Sequence, residues 1–294
     1  MIDTRLITFL TVAKTKNYTK AGQILNLTQP AVSQQIKFLE EYYNVKLIKK
    51  RGKQIDLTQE GEILFKYAKE LEILSRNLES KLKNKSSIVK KYNIGATMTI
   101  GEYVLPYILG EYRNIYKNID IILNVNNTKI IIEKLLNREI DLALIEGCFD
   151  KSKFNYKKMK DDELVLAVSN KHYFSKKKEV ELDEVLSGNL ILREKGSGTR
   201  EIFENKLVEL GYNLEKINVY MEIGSINAIK SLVESNLGYT VISKEAIKRE
   251  VNLGVINIVP IKDVKIIREF NFVYLNDGFM DFIDDFINFC YTRT

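Results

Sequence analysis

Small hydroxyl-bearing residues cluster at two points where an apolar, strand-like run gives way to a helix. Ala96-Thr97-Met98-Thr99-Ile100-Gly101 closes the run YNIGAT, and Arg193-Glu194-Lys195-Gly196-Ser197-Gly198-Thr199-Arg200 closes LILRE. Hydroxyls beside the unpartnered N–H groups of a helix start can hold an anion. In open parallel sheets, ligands sit beyond the carboxyl ends of strands. Two such starts facing across a cleft would form a small oxyanion site from Thr97, Met98 and Thr99 on one side and Ser197 and Thr199 on the other. A third strand end, Glu146-Gly147 after IDLALI, is expected to line the same cleft. Each hydroxyl taken alone is equally well read as a helix cap. Glu146 would repel a dianion unless paired or protonated, with Arg193 or Arg200 available to compensate.

Catalytic chemistry finds little material. The only histidine, His172, lies in the polar segment SNKHYF and reads as a surface loop residue. Cys148 follows Glu146-Gly147 and could approach the cleft, but no histidine is placed to activate it. Cys290 reads as packing on the last helix, and Asp284-Asp285 as ordinary acidic helix residues. The phosphate-loop pattern GxxxxGK[ST] is absent, which argues against ATP or GTP hydrolysis. The chain is expected to be no enzyme, with no metal and no cofactor beyond a small-molecule effector.

Positioning those hydroxyls requires alternating strands and helices. Strands at 92–97, 119–127 and 140–147 are separated by helices at 101–116 and 128–137, a βαβαβ half-domain with a mostly parallel sheet. A second unit starts at LVLAVSNKH (164–172) and carries the strands LILRE, NVYMEI and GYTVIS, with helices at 199–210, 226–236 and 244–250. INIV and KIIREFNFVYL close the sheet, and 279–290 forms a last helix. The second unit interrupts the first, so two α/β lobes are expected, joined by crossing segments near 162–166 and 264–269.

Ahead of them the sequence reads differently. Ten Lys/Arg and five Asp/Glu fall in residues 1–60, a net of +5, which leaves only +1 of the formal +6 for the remaining residues. A basic end on a near-neutral body suggests a polyanionic partner, although lysine is abundant throughout the chain. DTRLITFLTVAKT places Leu6, Phe9, Leu10 and Ala13 on one stripe. Thr19 is a candidate cap for a short helix burying Ala21, Ile24 and Leu25, and Thr28, Gln29 and Pro30 open the next. That helix should turn Ala31, Val32, Ile36, Leu39 and Tyr43 inward and Ser33, Gln34 and Lys37 outward. Two short helices joined by a tight turn form a helix-turn-helix, whose second helix enters the major groove. Gln can bridge adenine N6 and N7, and Ser can donate to several acceptors. Leu47-Ile48 and Ile55-Leu57 flank a turn holding Arg51, Gly52 and Lys53, a small hairpin whose tip suits a phosphate backbone.

Residues 59–85 form one long helix in which Leu64, Leu71 and Leu78 recur every seven residues, widened by Ala68, Leu74 and Leu82. So regular a stripe on a charged helix wants a partner helix, either a second copy or the chain's own C-terminal body. A second copy is preferred, because a helix-turn-helix meets a two-fold operator as a pair. The boundaries are therefore 1–58 for the DNA-binding head, 59–91 for the linker helix and 92–294 for the effector part. Lobe I takes 92–163 and 268–294, and lobe II takes 164–267. The overall length fits about two domains. Apolar residues at 45% with 29% charged fit a globular chain. With no run of about 18 apolar residues and a polar, charged N-terminus, a cytoplasmic, nucleoid-associated protein is expected.

The segment from FLTVAKTKNYTKAGQILNLTQPAVSQQIKFLEEYY through the wing to LTQEG is similar to the N-terminal winged helix of LysR-type transcriptional regulators. The resemblance is dense over residues 5–61 and runs in register to the end. Gly22 stands where the family usually has Ala, and Lys49-Lys50 replace its common residues before the wing arginine. The resemblance implies a winged helix-turn-helix, a homodimerising linker helix and a periplasmic-binding-protein-like effector domain, assembled as dimers or tetramers on promoter DNA. It assigns DNA contacts to Thr28, Gln29, Ala31, Ser33, Gln34 and Lys37, with Arg51 and Lys53 at the wing. TIGEYVLP, DDELVLAVS and LREKGSGTR further resemble the subgroup tied to sulfur assimilation, cysteine biosynthesis and selenium metabolism. By position that subgroup implies sulfite, sulfate or a related oxyanion held by Thr97, Thr99, Ser197 and Thr199. An organic acid or amino-acid derivative is the alternative. An effector-independent DNA-binding protein, and an enzyme with a nucleic-acid accessory domain, are the competing classes.

Overall fold

The computed structural model describes residues 2–51, 54–82, 90–275 and 280–293, and divides into two units near residue 88.

In the first unit, capping side chains delimit three helices. Helix α1 (Thr4–Thr15) starts where Asp3 accepts the Arg5 N–H, and ends on Lys16 in the left-handed region. Helix α2 (Tyr18–Leu25) is capped by Asn17, which accepts from the Lys20 N–H, and not by Thr19. An amide side chain two residues earlier serves as well as a hydroxyl, and Asn17 alone sits in the extended conformation a cap requires. Helix α3 (Gln29–Tyr43) is capped by Thr28, with Pro30 in its first turn. Strands β1 (Ile48–Arg51) and β2 (Gln54–Leu57) pair antiparallel, and helix α4 (Gln59–Leu82) follows. Phe9, Leu10, Val12, Ala21, Val32, Ile36, Leu39, Leu47 and Ala68 close the core. Gly61 lets α4 touch the wing: a Cβ there would lie 2.1 Å from the Leu47 carbonyl oxygen. Five expected core residues are not in it. Ile24 and Tyr43 are exposed and Ala13, Leu25 and Ala31 are half-buried, because short α2 turns only Ala21 and Gly22 inward and α3 buries a narrower stripe than its apolar residues allow.

The second unit is built on one hydrogen-bonded sheet. Strands β3 (Lys90–Thr97), β4 (Ile119–Asn126) and β5 (Leu142–Ile145) are parallel, with β3 central. Helices α5 (Leu105–Ile115), entered through a wide π turn at Ile100–Val104, and α6 (Thr128–Leu136) connect them. Strand β6 (Asn155–Ser169) then runs for 15 residues. Lobe II follows with α7 (Leu182–Ser187), β7 (Leu190–Leu192), α8 (Gly198–Glu209), β8 (Met221–Glu222), α9 (Ile226–Glu234), β9 (Tyr239–Ser243), α10 (Lys248–Asn252) and β10 (Ile256–Val259). Strand β11 (Ile266–Tyr274) returns beside β6, and α11 (Met280–Tyr291) packs Phe282 and Phe286 against Tyr92 and Tyr112. The strand order is β4-β3-β5-β11-β6-β9-β7-β8, with β10 pairing β6.

The two lobes therefore share strands β6 and β11, which pair at 161–164 and 266–269, where the crossing segments were expected. Residues 155–164 of β6 pair with β11 beside β5, and residues 164–169 pair with β9 and β10. The strand begins nine residues before the expected start. Asn155–Asp161 is charged because one face of this antiparallel ribbon meets water, as its mixed exposure shows. NVYMEI contributes only Met221–Glu222 to the sheet.

Candidate DNA-contacting surface and effector cleft

On α3, Thr28, Gln29, Ser33, Gln34 and Lys37 are exposed and Ala31 is half-exposed, so one polar face is presented to solvent. The Thr28 hydroxyl accepts the Ala31 N–H at 3.3 Å, which commits it to capping. Lys37 pairs with Glu41 at 3.4 Å, and both side chains are well exposed. Such a pair is worth little and yields readily to a phosphate. Arg5 lies over the Phe38 ring at 3.8 Å, which fixes α1 against α3. Arg51 ends β1 opposite Gln54, while Lys53 lies outside the described residues.

In the second unit, the carboxyl ends of β3, β5 and β7 bring Thr97, Thr99, Glu146, Ser197 and Thr199 together, all buried. Their roles differ. The Thr97 hydroxyl accepts the Glu146 N–H at 3.2 Å and donates to the Leu144 carbonyl at 3.4 Å, so it ties β3 to β5. The Glu146 carboxylate accepts the N–H groups of Thr99 at 3.2 Å and Ile100 at 3.1 Å, at the start of the helix after β3. Ser197 caps α8 by backbone alone, with no side-chain cap. Met98 is half-buried and packs on the lobe II cluster around Ile226 and Ile229.

Arg193 and Arg200 do not face Glu146. Arg193 is held by Glu194 at 2.9 Å, and Arg200 by Glu204, Glu222 and the Arg193 carbonyl. The compensating cation is Arg268 of β11, whose side chain is 1% exposed. Its Nε donates to Asp162 at 2.7 Å, Nη1 to the Thr199 hydroxyl at 3.0 Å and Nη2 to the Thr99 hydroxyl at 3.2 Å. Nη1 also lies 3.8 Å from the Glu146 carboxylate. One guanidinium thus bonds both lobes and the shared strand β6. Burial pushes the Asp162 carboxyl up, opposed by Arg268 and the Ser243 hydroxyl. Sequence reasoning placed 162 and 268 on crossing segments but gave neither a role. The available signal was an arginine and an aspartate within otherwise apolar strand runs.

Two further contacts hold the lobes together. A Cβ on Gly198 would lie 2.6 Å from the Gly147 Cα, so α8 and the end of β5 meet glycine to glycine. Tyr103 donates to Asn227 at 2.8 Å and stacks under Lys230. A pocket of about 350 Å³ adjoins the Gly147–Gly198 contact, lined by Thr128, Cys148, Phe149, Gly196 and Glu201 among others. The Thr128 hydroxyl is buried there without a partner.

Groups with catalytic potential are committed elsewhere. Desolvation and Glu201 raise the Cys148 pKa, which disfavours the thiolate, and burial pushes Cys290 up to about 12. His172 does lie in a loop, just ahead of a short turn at Tyr173–Lys176, but it is half-buried among Tyr173, Phe174 and Tyr239, and its Nδ1 accepts the Phe174 N–H. Burial lowers its pKa. Among the described residues, no group of three or more His, Cys, Asp or Glu is placed to hold a metal, and no helix is long and apolar enough to cross a membrane.

A winged helix-turn-helix, a long helix and a two-lobed domain with a polar cleft define a DNA-binding regulator that answers to a small molecule. Residues 4–62 match the model of the bacterial regulatory helix-turn-helix protein, lysR family, and residues 87–292 match the LysR substrate binding domain. The chain belongs to the LysR family of non-catalytic transcriptional regulators. It is 30% identical to a probable RuBisCO transcriptional regulator of Phaeodactylum tricornutum, over 91% of this chain and 89% of that one. It is 28% identical to the HTH-type transcriptional regulator CysL of Bacillus subtilis, over 92% and 89%. These names point in different directions, and no single subgroup is favoured. A full-length OxyR variant from Pseudomonas aeruginosa shares the fold at a TM-score of 0.77 and 20% identity, covering 99% of this chain and 94% of that one.

Proposed function

We propose that this regulator binds promoter DNA as an oligomer through α3 and the wing, and that a small effector seated between the lobes modulates that binding. The observation that carries the reading is Arg268, which bonds Thr99 of one lobe and Thr199 of the other. Anything that competes for those hydrogen bonds changes how the lobes are held. Dimerisation through α4 is supported by Leu71, Leu74 and Leu78, which a single chain leaves 48–65% exposed. Residues 1–58, 59–91 and 92–294 serve as head, linker and sensor, acting at the nucleoid.

Two effector chemistries are in play. The N–H groups of Thr99 and Ile100, together with Arg268, favour an oxyanion such as sulfite or sulfate. Glu146 and Asp162 outnumber Arg268, however, and favour an effector that carries a cationic or donor group beside its acid. An amino-acid derivative fits better than a bare sulfur oxyanion, and its body can extend into the pocket beside Thr128.

The test is binding of the full-length protein to its own upstream DNA, with and without sulfate, sulfite, O-acetylserine and simple carboxylates. Sequence-selective binding altered by one of these, and lost as a response in Thr99→Val/Thr199→Val, is the expected result. Binding without sequence preference, or a response that survives both substitutions, overturns the reading.

A further inference from the structure

We infer that Glu146 is a built-in occupant of the oxyanion seat, a specificity gate that keeps free dianions out of the cleft. This rests on the cleft being the effector site, and deepens that reading. The donors a tetrahedral anion would need converge between the lobes: the N–H groups of Thr99 and Ile100, the hydroxyls of Thr99 and Thr199, and the Arg268 guanidinium. The chain's own carboxylates already take the N–H groups and the Arg268 Nε, and the remaining guanidinium N–H groups go to the two hydroxyls. Glu146, with a side chain 4% exposed, accepts both N–H groups, and Asp162 takes the Arg268 Nε.

The charges facing this point come from three elements. Glu146 ends β5, Asp162 lies on β6 and Arg268 on β11, while Ser243 of β9 donates to Asp162. Arg193 and Arg200, on β7's end and α8, are turned to Glu194, Glu204 and Glu222. Two buried carboxylates against one engaged guanidinium leave the seat with a net negative charge. A free sulfate or phosphate would bring two more charges to donors already used, in surroundings too dry to screen them. A ligand with an ammonium or hydroxyl group can instead bond Glu146 and draw it off the helix start as its own acid replaces it. Glu146 then sets which ligands the seat admits.

The probe is inorganic sulfate, followed by thermal shift of the full-length protein against chloride at matched ionic strength. Wild type should show no saturable stabilisation by sulfate. Glu146→Ala should show one, with affinity gained on the order of 10- to 1000-fold, the range by which one neighbouring charge moves an ionisation equilibrium. Glu146→Ser serves as a second gain-of-binding variant should the alanine protein fail to melt cooperatively. Adding Arg268→Met should abolish the gain. Saturable sulfate binding by wild type, or folded Glu146 variants that gain none, overturns the inference. Saturable binding by wild type overturns it whether or not either variant folds. If wild-type binding is lost in Thr99→Val, the cleft reading survives and only the gate fails. If sulfate stabilises wild type, Thr99→Val and Arg268→Met alike, the cleft reading falls with it.

Discussion

Removing Arg268 isolates the electrostatics of the cleft. In Arg268→Met the volume is roughly kept, but Asp162 and Glu146, with side chains 1% and 4% exposed, lose the cation bonded to one and 3.8 Å from the other. Breaking a buried pair by deleting one partner costs about 3–5 kcal/mol. The variant can reduce that cost by taking up protons. Its folded-state Asp162 carboxyl, already raised by burial, is then pushed further above the roughly 3.9 at which it titrates in the unfolded chain. The folded state therefore holds more protons than the unfolded state between about pH 5 and 8, and stability must fall as pH rises, by about 1.4 kcal/mol per unit for each proton. In wild type, burial already raises Asp162, but Arg268 and Ser243 work against it, so the slope in that window is expected to be smaller. Urea unfolding of the full-length protein, followed by far-UV circular dichroism at pH 6 and 8, measures the difference. The variant should lose up to about 3 kcal/mol more than wild type between these points for one proton. Arg268→Met/Asp162→Asn should recover part of the loss and flatten the slope. A loss of stability independent of pH would refute the idea that Arg268 balances buried charge.

Other perturbations address other parts of the molecule. Gln34→Ala on the exposed face of α3 should cost about 1–3 kcal/mol of discrimination between operators, whereas Lys53→Ala should weaken binding to all sequences and reduce the salt slope by about one; competition and salt titrations separate the two. Leu74→Glu on α4, at a position 65% exposed in the single chain, should shift the protein toward monomer in sedimentation with helix content unchanged. Gly198→Ala forces a Cβ within 2.6 Å of Gly147, so the lobes must part there; about 1–3 kcal/mol of stability and the effector response should both fall, while affinity for operator DNA in the absence of effector marks which lobe arrangement binds.

The helices of the head were legible because their termini are written locally. Thr28 and Pro30 mark α3 without reference to any other part of the chain. Asn17 and Thr19 compete for the same role two residues apart, and only the backbone conformation separates them. The hydroxyls of the cleft were likewise legible from strand-to-helix turns. Arg268 and Asp162 were not, because their meeting depends on an antiparallel register between residues 106 apart. The outer half of β6 was hidden for a different reason. Its lysines and aspartates look like a loop until β11 pairs with one edge and water covers one face.

The sharing of β6 and β11 by both lobes has a consequence for how the protein is made. During synthesis the head's three helices and wing can fold as soon as they emerge, since their contacts are close in sequence. The sensor sheet cannot close until β11 appears near the end of the chain, and until then β5 and β6 present open edges. The strand that arrives last also carries the guanidinium that links the lobes. A chain interrupted before residue 266 would therefore hold a DNA-binding head with no means of being instructed.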